Sequence, residues 1–250
     1  MVHDDRMVGA LLSRRAALLA LGAGGFALLT GCGRRGNGAP VAAGGARGAG
    51  PACVVRPQQT EGPYFVDGAL NRVDIRPDPA SGRIPAGAPL ELTLDVSRID
   101  GEGCTPLPGA VVDLWQCDAA GVYSGVRDPA FDTSELAFLR GWQVTDGDGR
   151  ARFTTIYPGW YPGRTVHVHF KVRSDPAADP GFEFTSQLYF DDDLTDRVFA
   201  AEPYAVRGPR NRRNENDGVF RRDGGSQLVL DVTETDAGYA AAFAIGLQTG

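Results

Sequence analysis

Alternating apolar and polar positions mark the folded part of the chain. Leu90, Leu92, Leu94 and Val96 fall on one face of an extended segment, and the residues between them are polar. This period of two is typical of a β-strand with one buried face. Similar runs, separated by clusters of Gly, Pro and Asp, cover 110–116, 140–145, 150–156, 165–173, 185–190 and 227–232. Seven such runs predict an all-β fold, a β-sandwich of mostly antiparallel strands with long loops around its site.

The helices predicted between these strands are few and short. They cover 134–139, 193–201 and 237–245. A cluster of four arginines, at 207, 210, 212 and 213, lies among Gly, Pro and Asn and is predicted to form a solvated loop. The formal net charge of the chain is −6, which gives no reason to expect a nucleic acid or an anionic membrane surface as partner.

The first 31 residues are predicted to be an export signal. Arg14-Arg15 precede an uncharged run at 16–30 that is too short for a transmembrane helix. The Ser13-Arg14-Arg15 start resembles a twin-arginine signal, and Leu-Thr-Gly-Cys at 29–32 resembles a lipobox, at which Cys32 would be lipidated. An uncleaved anchor or a Sec signal is the alternative. In each case we expect the body of the protein to lie outside the cytoplasm, in the cell envelope. If the lipobox is used, the lipid at Cys32 would be its only membrane contact.

Residues 32–52 are mostly Gly and Ala and are predicted to form a flexible tether. Residues 53–250 are then long enough for one domain with a sizeable core. This domain contains Cys53, Cys104 and Cys117. In an oxidising compartment we expect two of the three to pair and one to stay free, and the sequence does not choose among the three pairings.

Both histidines of the predicted domain lie in the segment RTVHVHFKVR at 164–173. Val166 and Val168 point to one face of this strand, and His167 and His169 point to the other. Side chains two apart on a strand lie roughly 7 Å apart, close enough to take adjacent positions around one metal ion. Spacing alone leaves a second interpretation open, in which the pair belongs only to the polar face of a strand.

The segment YPGWYPGR just before this strand adds aromatic side chains that Pro and Gly residues could hold in fixed directions. Tyr157, Trp160 and Tyr161 could equally be core or rim aromatics. A tyrosine that binds a metal must give up its proton, and the phenol pKa is near 10. Only a strongly Lewis-acidic ion such as Fe³⁺ readily forces that loss at neutral pH. Two histidines with one or more tyrosines therefore indicate ferric iron.

Several segments together resemble a known family. They are TEGPYFVDG at 60–68, PLPGAVVDLWQCDAAGVYSG at 106–125, YPGWYPGRTVHVHF at 157–170 and TSQLYF at 185–190. Their order resembles that of the intradiol ring-cleavage dioxygenases, the catechol and protocatechuate dioxygenases, and in particular the exported branch of that family. The resemblance covers residues 59–190.

This resemblance implies a non-haem Fe(III) centre held by two tyrosines and two histidines. Carried over residue by residue, the ligands fall on Tyr123, Tyr161, His167 and His169. The substrate would be a small aromatic diol that binds the iron through both oxygens. With O₂ as co-substrate, the ring would open between the two hydroxylated carbons to give a cis,cis-muconate-type diacid.

The same resemblance assigns three catalytic roles. Tyr161 would leave the metal and take up a proton from the substrate, Arg164 would stabilise negative charge on it, and Gln187 would line the pocket. Tyr64 would line the mouth of the pocket or serve only in packing. The connection between Tyr161 and His167 is shorter than in the cytoplasmic members of the family, so the choice of catechol stays open. No N-terminal helical dimerisation domain of the catechol-dioxygenase kind is recognisable in the sequence, so the oligomeric state stays open as well.

The sequence leaves two alternatives to a dioxygenase. A non-catalytic, surface-tethered module could use the same sandwich to bind iron or an aromatic compound, and the loss of any one of the four ligands would favour it. A hydrolase or a copper protein could instead use the His-x-His pair, but no G-x-S-x-G motif is present and a Ser-His-Asp arrangement would consume one of the two histidines.

Overall fold

Two β-sheets that pack face to face form the protein body, as the sequence predicts. The computed structural model describes residues 54–249 apart from 102, 176, 179 and 180, and all of these belong to one compact unit. The strands are β1 (Pro89–Asp100), β2 (Gly103–Pro106), β3 (Val111–Trp115), β4 (Arg127–Asp128), β5 (Phe131–Asp132), β6 (Arg140–Val144), β7 (Arg150–Ile156), β8 (His167–Arg173), β9 (Glu183–Tyr189), β10 (Val232–Thr235) and β11 (Gly238–Leu247). The helices are α1 (Asp192–Phe199) and α2 (Gly218–Arg222).

The first sheet has the strand order β10-β11-β1-β2, with β7 also paired to β1. The second sheet has the order β6-β3-β8-β9, and β4 and β5 form a small separate hairpin. The pairing of β1 with β11 is parallel, and the other pairings within these sheets are antiparallel. The prediction of mostly antiparallel strands is therefore confirmed.

The core lies between the two sheets and follows the alternation read from the sequence. Leu90, Leu92 and Leu94 of β1 are fully buried in one cluster with Val168 and Phe170 of β8. Full burial of an apolar side chain of this size contributes about 1.5–3 kcal/mol to folding. The strand that carries both histidines is thus fixed by its apolar face.

The prediction of a helix at 237–245 is wrong, because this segment is strand β11. Ala241, Phe243 and Ile245 are buried while Ala242 between them is exposed, so the burial follows a period of two. Alanine hides this pattern in the sequence, since the same residue occupies both faces. The parallel pairing with β1 provides the backbone hydrogen bonds that a helix would have made internally.

The prediction of a helix at 134–139 is also wrong. The amide of Ala137 donates to the Asp78 carboxylate at 2.9 Å, and that of Leu139 donates to the Ile75 carbonyl at 2.6 Å. These amides donate to distant parts of the chain, so only isolated turns form and no helix does. The segment 227–232, predicted as a strand, is a 3₁₀ helix at Gly225–Leu228 followed by extended chain, and β10 begins only at Val232.

The helix predicted at 193–201 is confirmed as α1. Asp191 caps it, because its side chain accepts from the amides of Asp193 and Leu194. The arginine cluster is not a uniformly solvated loop. The Arg210 side chain is 4% exposed and forms ion pairs with Asp192 and Asp196, so it ties the loop to α1.

Two cysteines of the predicted domain have different states. Cys104 is disulfide-bonded, whereas Cys117 is free and buried. The expectation that one cysteine stays free is met by Cys117. Cys53, the export signal at 1–31, Cys32 and the tether at 32–52 lie outside the described residues. Among the described helices, none is long and apolar enough to span a membrane.

Candidate metal centre and active site

Strand β8 brings the two histidines together. Its register sets His167 opposite Tyr189 and sets His169 between Gln187 and Trp115 of the neighbouring strands. Both side chains point to the same face, and their Nε2 atoms lie 3.1 Å apart. Both residues are at most 2% exposed. The prediction of one shared direction for the pair is confirmed.

The polar face of β8 is covered rather than solvated. Gly62 packs so closely over His169 that a Cβ at this position would lie 3.3 Å from its Cε1 atom. Lys171 on the same face is buried, pairs with Glu61 at 2.5 Å and lies over the ring of Phe65. The polar face of β8 is therefore buried beneath a segment from another part of the chain.

The protonation of His167 is set by its backbone contact. Its Nδ1 lies 2.6 Å from the Thr165 carbonyl oxygen, which can only accept, so Nδ1 carries the proton. Burial, followed by the charge of Arg164, lowers the pKa of His167 well below its usual value. The ring is thus neutral and presents an unprotonated Nε2. A neutral imidazole oriented in this way is the form that binds metals.

His169 is held by stacking. The ring of Trp115 lies parallel to it, at 5.0 Å between centroids and an angle of 7°. Burial, and then the neighbouring His167, lowers the pKa of His169 well below its usual value. Its Nδ1 has no hydrogen-bond partner among the described residues. Packing therefore fixes this ring, with its Nε2 directed at that of His167.

Two tyrosines complete the cluster. The hydroxyl of Tyr161 lies 3.2 Å from Nε2 of His167, and the Tyr123 ring packs edge-on against the Tyr161 ring at 5.7 Å. Tyr123 is fully buried, and its hydroxyl has no partner among the described residues. Burial is the main cause that raises the pKa of both tyrosines. A buried hydroxyl without a hydrogen bond costs free energy, so a function is expected of it.

The loops that carry the tyrosines are packed against each other. The amide of Gly159 donates to the Asp118 carbonyl at 3.1 Å. A Cβ at residue 159 would lie 2.5 Å from the carbonyl oxygens of Asp118 and Ala119, so only glycine fits. On the other side, the Thr133 hydroxyl donates to the Tyr123 carbonyl at 2.6 Å. These contacts set the directions in which the two tyrosines point.

A buried carboxylate, that of Asp217, holds Arg164 beside the same site. Its Nε donates to Oδ2 of Asp217 at 2.8 Å, and the amide of Thr165 donates to the same oxygen at 2.8 Å. The other oxygen of Asp217 accepts from the amides of Val219 and Phe220 and so caps α2. Asp217 is fully buried. Burial alone would raise its pKa, but the Phe220 amide and Arg164 outweigh that effect and lower it.

A hydrogen-bond chain links Arg164 to the next strand. Its Nη2 donates to Oε1 of Gln187 at 2.5 Å, and Nε2 of Gln187 donates to the Thr60 carbonyl at 2.9 Å. The Tyr189 hydroxyl donates to Oε1 of Gln59 at 2.7 Å and lies 3.1 Å from Oε1 of Gln187. Arg164 and Gln187 are therefore held in one rigid network beside the histidines.

The donor set fits a ferric ion. The unprotonated Nε2 of His167 converges with Nε2 of His169 and the Tyr161 hydroxyl, and the unpartnered Tyr123 hydroxyl packs against the same cluster. In the described part of the chain, no group of three or more His, Cys, Asp or Glu side chains is placed to hold a metal. A site of two histidines and one carboxylate, as in Fe(II) oxygenases, is therefore not formed there. Asp191, which could suggest one, serves as a helix cap.

Sequence reasoning missed several members of this cluster. Asp217 lies in a loop 48 residues after His169, where no periodicity points to the site. Trp115 and Tyr189 fall within predicted strands, but the sequence does not show which strands pair with β8. Only the sheet register brings these two residues next to the histidines. Tyr64, whose role was left open, stacks on Tyr123 at 4.4 Å between centroids. Tyr157 is a core residue, with its hydroxyl 2.7 Å from that of Thr195.

The chain is similar to known dioxygenases. The family model described as "Dioxygenase" matches residues 60–216, more than half of the chain. Over 154 residues the chain is 32% identical to the protocatechuate 3,4-dioxygenase beta chain of Burkholderia cepacia, covering 57% of this chain and 64% of that protein. Over 144 residues it is 33% identical to catechol 1,2-dioxygenase 1 of Acinetobacter lwoffii, covering 48% of this chain and 43% of that protein.

A solved structure shares the whole fold. The intradiol ring-cleavage dioxygenase from Tetranychus urticae superposes with a TM-score of 0.67 at 29% identity, over 78% of this chain and 95% of that chain. The chain belongs to the intradiol ring-cleavage dioxygenase family. It spans only 43–64% of the length of the two curated relatives above.

Proposed function

We propose that this protein is an Fe(III)-dependent intradiol dioxygenase that cleaves a catechol-type ring with O₂ to a cis,cis-muconate-type diacid. The observation that carries the proposal is the buried cluster of Tyr123, Tyr161, His167 and His169, with Arg164 held beside it. A ferric ion bound by these four side chains would supply the Lewis acidity and redox capacity that the reaction of a catechol with O₂ requires.

Tyr161 is suited to move a proton. Tyr161 is partly exposed while Tyr123 is fully buried, and the Tyr161 hydroxyl lies 3.2 Å from Nε2 of His167. Burial raises the pKa of Tyr161, so its oxygen holds a proton strongly whenever no cation competes for it. If a bound ferric ion held Tyr161 as a tyrosinate, its Oη atom would be unprotonated and could take up a phenolic proton from the arriving diol.

Arg164 and Gln187 are suited to stabilise and orient an anionic substrate. The Asp217 contact fixes the Arg164 guanidinium before any substrate arrives, so little reorganisation is needed. Gln187 is anchored at Thr60 and Tyr189 and holds Nη2 of Arg164. The aromatic rings of Trp115 and Tyr64 pack around the cluster and limit the access of water.

The proposal is tested by oxygen uptake. Iron-loaded protein given catechol should consume one O₂ per catechol and form a ring-opened diacid, and ¹⁸O₂ should place both labelled atoms in that product. His169→Ala serves as the inactive control. If the iron-loaded protein binds catechols but consumes no O₂ with any member of a panel of catechols, the non-catalytic binding module is the correct alternative.

We also propose that the protein is exported and lipid-anchored at Cys32. The support is the Arg14-Arg15 pair, the uncharged run after it and the Leu-Thr-Gly-Cys sequence at 29–32. The wild-type chain should fractionate with membranes after export, and Cys32→Ala should release it into the soluble envelope fraction. Arg14→Lys together with Arg15→Lys should retain the protein inside the cell if the twin-arginine route is used.

A further inference from the structure

A cavity borders the loop that leads to Tyr123. It has a volume of about 550 Å³, and its wall includes residues 118–120 of that loop. None of the proposed metal ligands lines it, and neither Arg164 nor Gln187 does. Its volume falls in the range of small-molecule sites and is large for a single aromatic ring. The cavity is therefore separate from the tyrosine–histidine cluster.

The cavity has apolar walls and an apolar mouth. Pro85, Ala119 and Phe138 are among the wall residues. Val206 and Leu136 also line it although they are 74% and 37% exposed. Exposed hydrophobic side chains grouped around a concavity are typical of a ligand site. The body of the ligand should accordingly be apolar.

Two arginines at this cavity lie near the Asp118 carboxylate. Burial raises the pKa of that group, and the charge of each arginine acts to lower it. Neither Arg83 nor Arg207 forms an ion pair with any described residue. Arg207 lies over the ring of Trp160 at 4.6 Å. The Asp78 carboxylate in the same wall is already satisfied by the amide and hydroxyl of Ser81 and by the amide of Ala137. The wall thus combines two guanidinium groups, which no hydrogen bond or close ion pair to a described residue occupies, with two carboxylates.

One polar acceptor also remains in the wall. Oδ1 of Asp118 accepts from the amides of Ala120 and Val122, at 2.9 Å each. Oδ2 accepts no hydrogen bond from the described residues, so it is available to a hydroxyl donor on a ligand. This apolar cavity, with two arginines and one free carboxylate oxygen, matches a planar molecule that carries both an acid group and a hydroxyl group. The acid group would meet the arginines, and the hydroxyl group would donate to Asp118.

We propose that this cavity binds a hydroxylated aromatic carboxylate of about two rings, with its carboxylate at Arg83 and Arg207 and its hydroxyl at Asp118. The site is distinct from the ring-cleavage site and does not depend on the function proposed for it. Carboxylate–arginine contacts are charge-assisted and set the orientation of such a ligand, while the apolar walls contribute area.

The test uses the full chain and the fluorescent probe 6-hydroxy-2-naphthoate. The wild-type protein should bind it, and Arg83→Leu should weaken the binding at least tenfold. Arg83 is exposed and its side chain makes no hydrogen bond to the described residues, so this variant should fold normally. The matched control is Arg98→Leu, an exposed arginine on β1 away from the cavity, which should bind as the wild type does. Val206→Trp, at a highly exposed position, should fill the mouth and abolish binding.

Competition separates this site from the proposed active site. Saturating catechol should leave the bound naphthoate in place, and 2-naphthol, which lacks the carboxylate, should bind at least tenfold more weakly than the probe. The proposal is overturned if wild-type protein does not bind the probe, if Arg83→Leu and Val206→Trp bind it unchanged, or if catechol displaces it. A dimer that Val206→Trp dissociates, together with no probe binding, would assign the surface to self-association and also overturn the proposal.

Discussion

The histidines and the tyrosines of the proposed metal centre are held in different ways. His167 and His169 lie on β8, where the sheet register and the buried apolar face fix their direction. Tyr123 and Tyr161 lie outside the named strands, on segments between them. Their positions depend on contacts between loops, such as the close approach of Gly159 to the carbonyl of Asp118.

The direction of the histidines is therefore encoded by the local sequence, whereas the direction of the tyrosines depends on tertiary packing. A strand with period two determines the direction of each side chain from the sequence alone. A loop has no such rule, and its side chains are directed by what packs around them. Substitutions of the histidines on β8 should therefore change mainly metal binding. Substitutions in the loops that carry the tyrosines should change both stability and catalysis.

The largest effect is expected for His169→Ala. This change removes a strand-held donor but leaves β8 intact, so the fold should persist while iron binding is lost. We expect iron content and ring-cleavage activity to fall by more than about a hundredfold, because loss of a ligand should exceed the loss of a residue that only supports one. Metal analysis and oxygen uptake measure both quantities. A variant that retains stoichiometric iron and activity would refute the role of this strand.

Tyr123→Phe tests the loop-held half without removing the ring. The stacking on Tyr64 stays, and only the unpartnered hydroxyl is lost. We expect activity to fall about a hundredfold. The free energy of unfolding of the iron-free protein should rise by about 1 kcal/mol, since a buried hydroxyl without a partner is removed. A decrease in iron-free stability, measured by urea unfolding, would show that this hydroxyl has a structural partner.

Asp217→Asn tests the support of Arg164. Asparagine keeps the size of the side chain but removes the charge that pairs with Arg164 at 2.8 Å. We expect kcat to fall about tenfold with a smaller change in KM, because the guanidinium is held less firmly for the transition state. Asp217→Glu should restore part of kcat. An equal loss in both variants, with lowered thermal stability, would indicate that Asp217 serves only to cap α2.

Gly159→Ala should have the smallest effect on activity and act mainly on stability. The added methyl group meets two carbonyl oxygens at 2.5 Å, so the loops must separate. We expect a loss of about 1–3 kcal/mol in the free energy of unfolding and a few-fold loss of activity. The control is Gly147→Ala, where a Cβ meets nothing within 4 Å and the change should stay within about 0.5 kcal/mol. Equal stability of both variants would remove the packing argument for the tyrosine loops.

The sequence predicted the strand-held parts of the molecule better than the rest. β1, β7 and β8 follow a local period of two, and α1 has an aspartate cap at its start, so each could be predicted from its own residues. The segment of β11 could not, because its alanines give no contrast between the two faces.

The site could likewise be predicted from the sequence only where the local strand pattern sets the direction of a side chain. The shared direction of His167 and His169 follows from the strand period, whereas their burial depends on residues 59–65, which come from a distant part of the chain. Asp217 supports Arg164 across 53 positions, and no local pattern marks such a contact. The family resemblance named Arg164 and Gln187, but it did not identify the carboxylate that holds the guanidinium in place.

The most direct test of the metal centre is the visible absorption spectrum of the iron-loaded protein, followed by anaerobic titration with catechol. Tyrosinate bound to Fe(III) gives a coloured charge-transfer band, so we expect a coloured protein whose band shifts as catechol binds. Tyr123→Phe should weaken the band while the histidines remain in place. A protein that stays colourless after ferric reconstitution would contradict the tyrosine–histidine site and with it the proposed ring cleavage.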